Sequence, residues 1–224
     1  MRRKIPITLN TGEITKILQI PNERTKTGLR NKAILHFAVD SGARVSDIVN
    51  LRPCDLNIGK GKAIVRGGKG DVDRTIFFDK YAATLLKKYK DQRPKGEYFF
   101  CSEYQANNPE LKKGKIGQKL NRFYLYTMIN KYAKRAGIEK KIGMHTLRHS
   151  FALSFYQRTH NLRALQELLG HVDLRTTELY LYMDSTDIKK ASDEYYKKRD
   201  SKTPDLENRI KALEEESQKL KDRT

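Results

Sequence analysis

Two short β-prone runs, Lys62-Ala63-Ile64-Val65-Arg66 and Arg74-Thr75-Ile76-Phe77-Phe78, flank the segment Gly67-Gly68-Lys69-Gly70-Asp71. This is the pattern of one β-hairpin with a flexible tip, and it constrains the fold more than any other feature of the chain. Nearly all apolar spacing outside it is helical. Thr11 to Gln19 carries Ile14, Ile17 and Leu18 on one face, and Leu29 to Ser41 carries Ala33, Ile34, Phe37 and Ala38. Gly42 stops the second helix, and Ser46-Asp47 opens a short third one that Arg52-Pro53 ends. A short strand at Tyr98–Cys101 is expected to join the hairpin, and a lysine-rich loop spans 108–119. Helices are then expected at about 119–136, 145–159, 162–169, 174–183 and 186–198. The predicted class is mainly α with a small antiparallel β-sheet.

Charge narrows the partners. The 224 residues hold 46 Lys and Arg against 27 Asp and Glu, a net charge of +19. From Asp200 onward six basic residues face seven acidic ones, a net of −1, so the body carries +20. Such a body suits a polyanion, because neutralising a phosphate array releases counterions; DNA, RNA and an anionic membrane surface all meet that description. No apolar run approaches the roughly 18–20 residues that span a bilayer, and the N-terminus lacks the apolar stretch of a secretory signal. A soluble intracellular protein is expected. Cys54 and Cys101 match neither a disulfide framework nor a metal-ligand spacing, and read as two separate small, buried apolar residues.

Residues 1–199 read as one domain and 200–224 as a helical tail. Thr203-Pro204 caps the tail, and Leu206, Ile210, Leu213 and Leu220 follow at spacings of 4, 3 and 7. Either a short coiled coil or a lone amphipathic helix fits, since two heptads fall short of a firm coiled-coil signature.

Several residues could carry chemistry. His145 and Arg148, three apart, share a helix face. Arg can grip two non-bridging phosphate oxygens and His can take or give a proton near neutral pH, although the same spacing also describes a polar helix face. His149 lies four after His145, but neither a glutamate nor a cysteine completes a metal set. His171 follows the helix-stopping Gly170, and nine residues on comes Tyr180, with Tyr182 beside it. A tyrosine can be a covalent nucleophile where cations stabilise its anion. Arg44 sits at an interhelix turn with Asp47 three residues later, and Lys69 sits at the hairpin tip, mobile enough to deliver a proton to a leaving group.

The ordered set Arg44 with Asp47, Gly-Lys69-Gly, His145-x-x-Arg148, Leu-Gly-His171 and Thr-Thr-x-x-Tyr180 resembles the catalytic domain of the tyrosine recombinases, the phage integrase and Xer family. The likeness runs from about residue 8 to 190 and includes the phrases HTLRHSFA, LQELLGH and TTELY.

The resemblance implies that Tyr180 attacks a scissile phosphodiester to give a 3′-phosphotyrosyl link and a free 5′-hydroxyl. By the same likeness Arg44 and Arg148 clamp the non-bridging oxygens, His145 helps accept the tyrosine proton, Lys69 protonates the leaving oxygen, His171 hydrogen-bonds the phosphate and Asp47 buttresses the site. Tyr182 is the rival nucleophile. No metal or other cofactor is implied. The implied partner is double-stranded DNA, with four copies on two duplexes during exchange; the loop of Lys112, Lys113 and Lys115 or the hairpin tip could touch its backbone, and a merely solvated face is the other reading of that loop. The N-terminal clamp domain usual in the family is expected to be absent from these residues, which leaves a natural minimal recombinase, a fragment of a longer protein, or a protein whose accessory partner supplies the other half of the clamp. A prokaryotic or mobile-element protein, cytoplasmic and nucleoid-associated, is expected. Two other functions are weighed, a DNA-binding accessory protein of recombinase ancestry that does not complete exchange and a type IB topoisomerase.

Overall fold

The computed structural model describes residues 5–67, 73–103, 116–170 and 177–183, together with 189, 192 and 193. Helix α1 (Thr11–Gln19) is opened by a reciprocal cap in which Asn10 Oδ1 accepts the Glu13 amide and Glu13 Oε2 accepts the Asn10 amide, each at 2.9 Å. Helix α2 (Lys26–Ser41) is the spine of the core, with Leu29, Ala33, Ile34, Leu35, Phe37 and Ala38 all buried. Two polar residues are buried with them. Arg30 donates to the Cys101 carbonyl at 2.9 Å and to Asn31, whose amide donates to the Tyr132 hydroxyl at 2.8 Å. These bonds satisfy groups that would otherwise be costly inside and fix α2 against the chain that packs on it.

Gly42 ends α2 with φ +60, and a Cβ there would lie 2.3 Å from the Phe151 ring. Glycine is required twice over, for the left-handed backbone and for the close approach. Helix α3 (Val45–Asn50) follows at once.

The sheet is antiparallel in the order β1 (Leu56–Asn57), β2 (Lys62–Val65), β3 (Arg74–Phe77). Ala63 pairs with Ile76 and Val65 with Arg74, so the buried face holds Ala63, Val65 and Ile76 while Ile64 and Phe77 face out. By the same alternation Arg74 is on the inner face.

The third strand is therefore not Tyr98–Cys101. That segment makes only an isolated bridge from Cys101 to Lys119, and Phe99 and Phe100 are both fully buried against Tyr89. Two successive buried side chains suit an aromatic plug, whereas an edge strand would turn one of them to solvent.

Helix α4 (Lys80–Gln92), for which no expectation was drawn, buries Ala82, Leu85, Leu86 and Tyr89. Asp79 Oδ1 caps it by accepting the Ala82 amide at 2.7 Å. Helix α5 (Arg122–Arg135) starts at its Asn121 cap, later than the spacing predicts. Helices α6 (Met144–Thr159), α7 (Leu162–Leu169) and α8 (Leu179–Met183) occupy the expected regions.

Ala152, Tyr156, Leu165, Leu169 and Tyr180 form a second apolar cluster beneath α6 to α8. The mainly helical class with one small antiparallel sheet is what the chain adopts. Cys101 is buried as expected but Cys54 is exposed, because its neighbour Asp55 takes the inward position on the turn to accept from Arg66. The expected helix at 186–198 falls almost wholly outside the described residues, and the tail wholly so. Among the described residues no helix is long and apolar enough to cross a membrane.

Candidate active site

Helix α7 leaves carbonyls at its C-terminus that no helical amide can reach. Three consecutive ones each receive a different arginine. Arg74 Nε donates to the Leu168 carbonyl at 3.2 Å, Arg148 Nη2 to Leu169 at 2.8 Å, and Arg44 Nη2 to Gly170 at 2.6 Å. The arginines come from β3, α6 and the cap of α3, so one helix end gathers three distant parts of the chain. The negative pole of a helix C-terminus favours this. Gly170 itself has φ +62, and a Cβ there would lie 2.7 Å from Arg74 Cδ.

Arg148 also donates Nη1 to the Gly42 carbonyl at 2.8 Å, tying α6 to the end of α2. It is only 5% exposed. Burial, then the nearby Arg44 and Arg74, push its pKa down to about 10, so it stays cationic at neutral pH. Asp47 supplies the counter-charge. Its Oδ2 accepts the Arg44 amide at 2.8 Å and the Arg74 guanidinium at 2.5 Å.

Tyr180 points into the second apolar cluster and is 1% exposed. Its hydroxyl lies 2.9 Å from His149 Nδ1. Burial raises the phenol's pKa against the pull of Arg148. Burial, His145 and Arg148 all lower that of His149. Phenol and imidazole are therefore both neutral at rest.

The structure thus brings together Arg44, Asp47, Arg148 and Tyr180 from the predicted set. His145 stands exposed on the first turn of α6, and the hydroxyl's partner is His149. Lys69, His171, Lys112, Lys113 and Lys115 lie outside the described residues, and nothing is said of the Tyr182 side chain.

The sequence does not single out Arg74, and it marks His149 only as a metal-ligand candidate rather than as the partner of Tyr180. A signal existed for both. Arg74 shares the inner face of its strand with Ile76, an odd place for a cation, and His149 sits one turn after His145. Beside the cluster opens a cleft of about 470 Å³, lined by Arg44, Arg52, Arg66, Arg74 and Arg122 among others. Arg52 is paired with Glu97 at 2.7 Å and Arg66 with Asp55 at 2.9 Å, while Arg122 is exposed.

Residues 8–187 match the phage integrase family. The chain is 35% identical over 193 residues to tyrosine recombinase XerD of Listeria monocytogenes, covering 86% of this chain and 63% of that protein. It is 33% identical over 190 residues to tyrosine recombinase XerA of Pyrococcus furiosus, covering 84% and 62%. The chain thus spans less than two thirds of the length of these relatives. Among solved structures, that of the XerH site-specific recombinase bound to a palindromic difH substrate superposes with a TM-score of 0.70 at 28% identity, covering 86% of this chain and 54% of that one.

Proposed function

Because the chain belongs to the phage integrase family of tyrosine recombinases, we propose that it acts as a site-specific DNA recombinase that cuts and rejoins strands through a 3′-phosphotyrosyl intermediate. The observation that carries this reading is the convergence of Arg44 and Arg148 on adjacent carbonyls, Gly170 and Leu169, with Tyr180 in the apolar cluster that also holds Leu169.

Two guanidiniums anchored on adjacent carbonyls can each give N–H groups to the non-bridging oxygens of one phosphate. Charge grows on those oxygens as the phosphorus passes through its five-coordinate transition state, and fixed cations stabilise it without reorganising. The Tyr180 oxygen forms a bond to phosphorus while the bond to the 5′-oxygen breaks. The phenolic proton passes to His145, and Lys69 gives a proton to the departing 5′-oxygen. His171 hydrogen-bonds the phosphate, and Asp47 holds Arg44 in place. The covalent link conserves the bond energy, so attack by a 5′-hydroxyl reverses the step with no metal or nucleotide.

The arginine-lined cleft takes the duplex backbone beside the scissile phosphate. Lys112, Lys113 and Lys115 remain candidate contacts, and four copies on two duplexes complete an exchange. Residues 1–199 serve as the catalytic domain and 200–224 as a tail for protein contacts. A DNA substrate implies a cytoplasmic, nucleoid-associated protein. Support for the DNA partner comes from the solved relative, which holds its difH substrate.

The test is a nicked suicide duplex carrying a candidate site, with the products run on a denaturing gel. Wild type is expected to give a covalent protein–DNA band and Tyr180→Phe none. No band on any authentic site would overturn the recombinase reading.

A further inference from the structure

The proposed reaction needs Arg44 and Arg148 aimed at one phosphate, and cations so close repel one another. Arg148 is held on both sides, by Gly42 and by Leu169. Arg44 donates to the Gly170 carbonyl and opens a short helix. What keeps that helix and that carbonyl at a fixed separation is Arg74. Its guanidinium spans from Asp47 in the first turn of α3 to the Leu168 carbonyl at the end of α7. The Asp47 oxygen it binds is the one that accepts the Arg44 amide. Asp47 and Arg74 side chains are 8% and 9% exposed, so the bridge is shielded from a bound duplex. The ring of contacts closes through Gly170, whose missing Cβ leaves the space that the Arg74 stem fills.

We propose that Arg74 is the positioning residue for Arg44: by bridging Asp47 and Leu168 it sets the gap between α3 and α7 and so aims the Arg44 guanidinium. This rests on the recombinase reading above. It also explains why an arginine occupies the inner face of β3. A planar guanidinium can hold a carboxylate and a carbonyl at once from a rigid fork, whereas a lysine presents a point charge on a flexible stem.

The experiment compares wild type, Arg74→Lys and the double variant Asp47→Asn with Arg74→Lys on the full chain. Single-turnover adduct formation at saturating suicide duplex, where affinity does not enter, is expected to fall about 100-fold in Arg74→Lys, the scale of a misplaced reacting group, and by more than any change in Tm explains. The double variant is expected to lose no more than Arg74→Lys alone, because the two residues act as one bridge.

A second readout needs no DNA. In arginine side-chain NMR spectra the Arg44 guanidinium signals are expected to move to the position of free arginine in Arg74→Lys, while those of Arg148 stay put. Unchanged Arg44 signals, or signals of Arg44 and Arg148 lost together with a lower Tm, overturn the proposal. A wild type that forms no adduct would instead sink the recombinase reading, and the NMR comparison would still decide the role of Arg74.

Discussion

The Tyr180 hydroxyl is 2.9 Å from Nδ1 of His149, and the tyrosine around it is 1% exposed. With burial raising the phenol and lowering the imidazole, proton transfer between them is unfavourable, and the pair is a neutral hydrogen bond in an apolar pocket. A hydroxyl so placed cannot touch phosphorus in an external strand. In the proposed mechanism Tyr180 has to leave His149 before it attacks. Acetylation or nitration of the free protein, mapped by mass spectrometry, is therefore expected to spare Tyr180 while modifying exposed tyrosines such as Tyr81. Binding of an authentic site should raise its reactivity.

Gly170 joins a left-handed backbone to a close contact with Arg74. Gly170→Ala is expected to cost about 1–2 kcal/mol of stability from the backbone alone, read as a lower Tm. Its Cβ displaces the Arg74 stem, so adduct formation should slow by more than that stability loss explains.

Asp40 and Asp79 share a larger cavity of about 550 Å³ with Phe77, Phe151 and Phe155. Asp79 caps α4 by accepting the Ala82 amide. Asp40, half-buried beside it, is raised to about 7 by desolvation and by the neighbouring Asp79. The folded state thus holds a proton that the unfolded state has lost between pH 4 and 7, and stability falls as pH rises through that window. Asp40→Asn keeps an acceptor for the Asp79 amide and removes the charge. It is expected to stabilise the protein at pH 8 by on the order of 1 kcal/mol, since the groove admits water, read as a higher Tm, and to change little at pH 4.

Arg122 projects at the arginine-lined cleft from the first turn of α5. If the cleft takes a duplex backbone, Arg122→Ala should weaken binding equally for all sequences and reduce the slope of log affinity against log salt by about one unit. Fluorescence anisotropy between 50 and 200 mM salt, roughly the range over which such contacts are lost, reads both. A loss confined to one sequence would mean that Arg122 reads bases.

Much of this was legible in the sequence, and the misses have physical causes. Helix α7 and the β2–β3 hairpin stand out because their periodicities, 3.6 and 2, are clean between strong stops such as Gly170. Helix α4 was passed over because lysines crowd its exposed side, although Ala82, Leu85, Leu86 and Tyr89 keep the helical rhythm. The Tyr98–Cys101 segment is apolar for its role as a core plug, and composition alone does not separate a plug from a strand. Arg44, Asp47, Arg148 and Tyr180 were found from motif order. Arg74 and His149 act through partners 27 and 31 residues distant, and only the folded chain pairs them.

The most direct test of the whole account is to locate the covalent bond. The adduct trapped on a suicide duplex is digested with nuclease and trypsin, and the peptide Thr176–Lys189, which contains Tyr180 and Tyr182, is sequenced by tandem mass spectrometry. The account predicts a nucleotide 3′-phosphate on Tyr180. A nucleotide on Tyr182, or on any other residue, would contradict it.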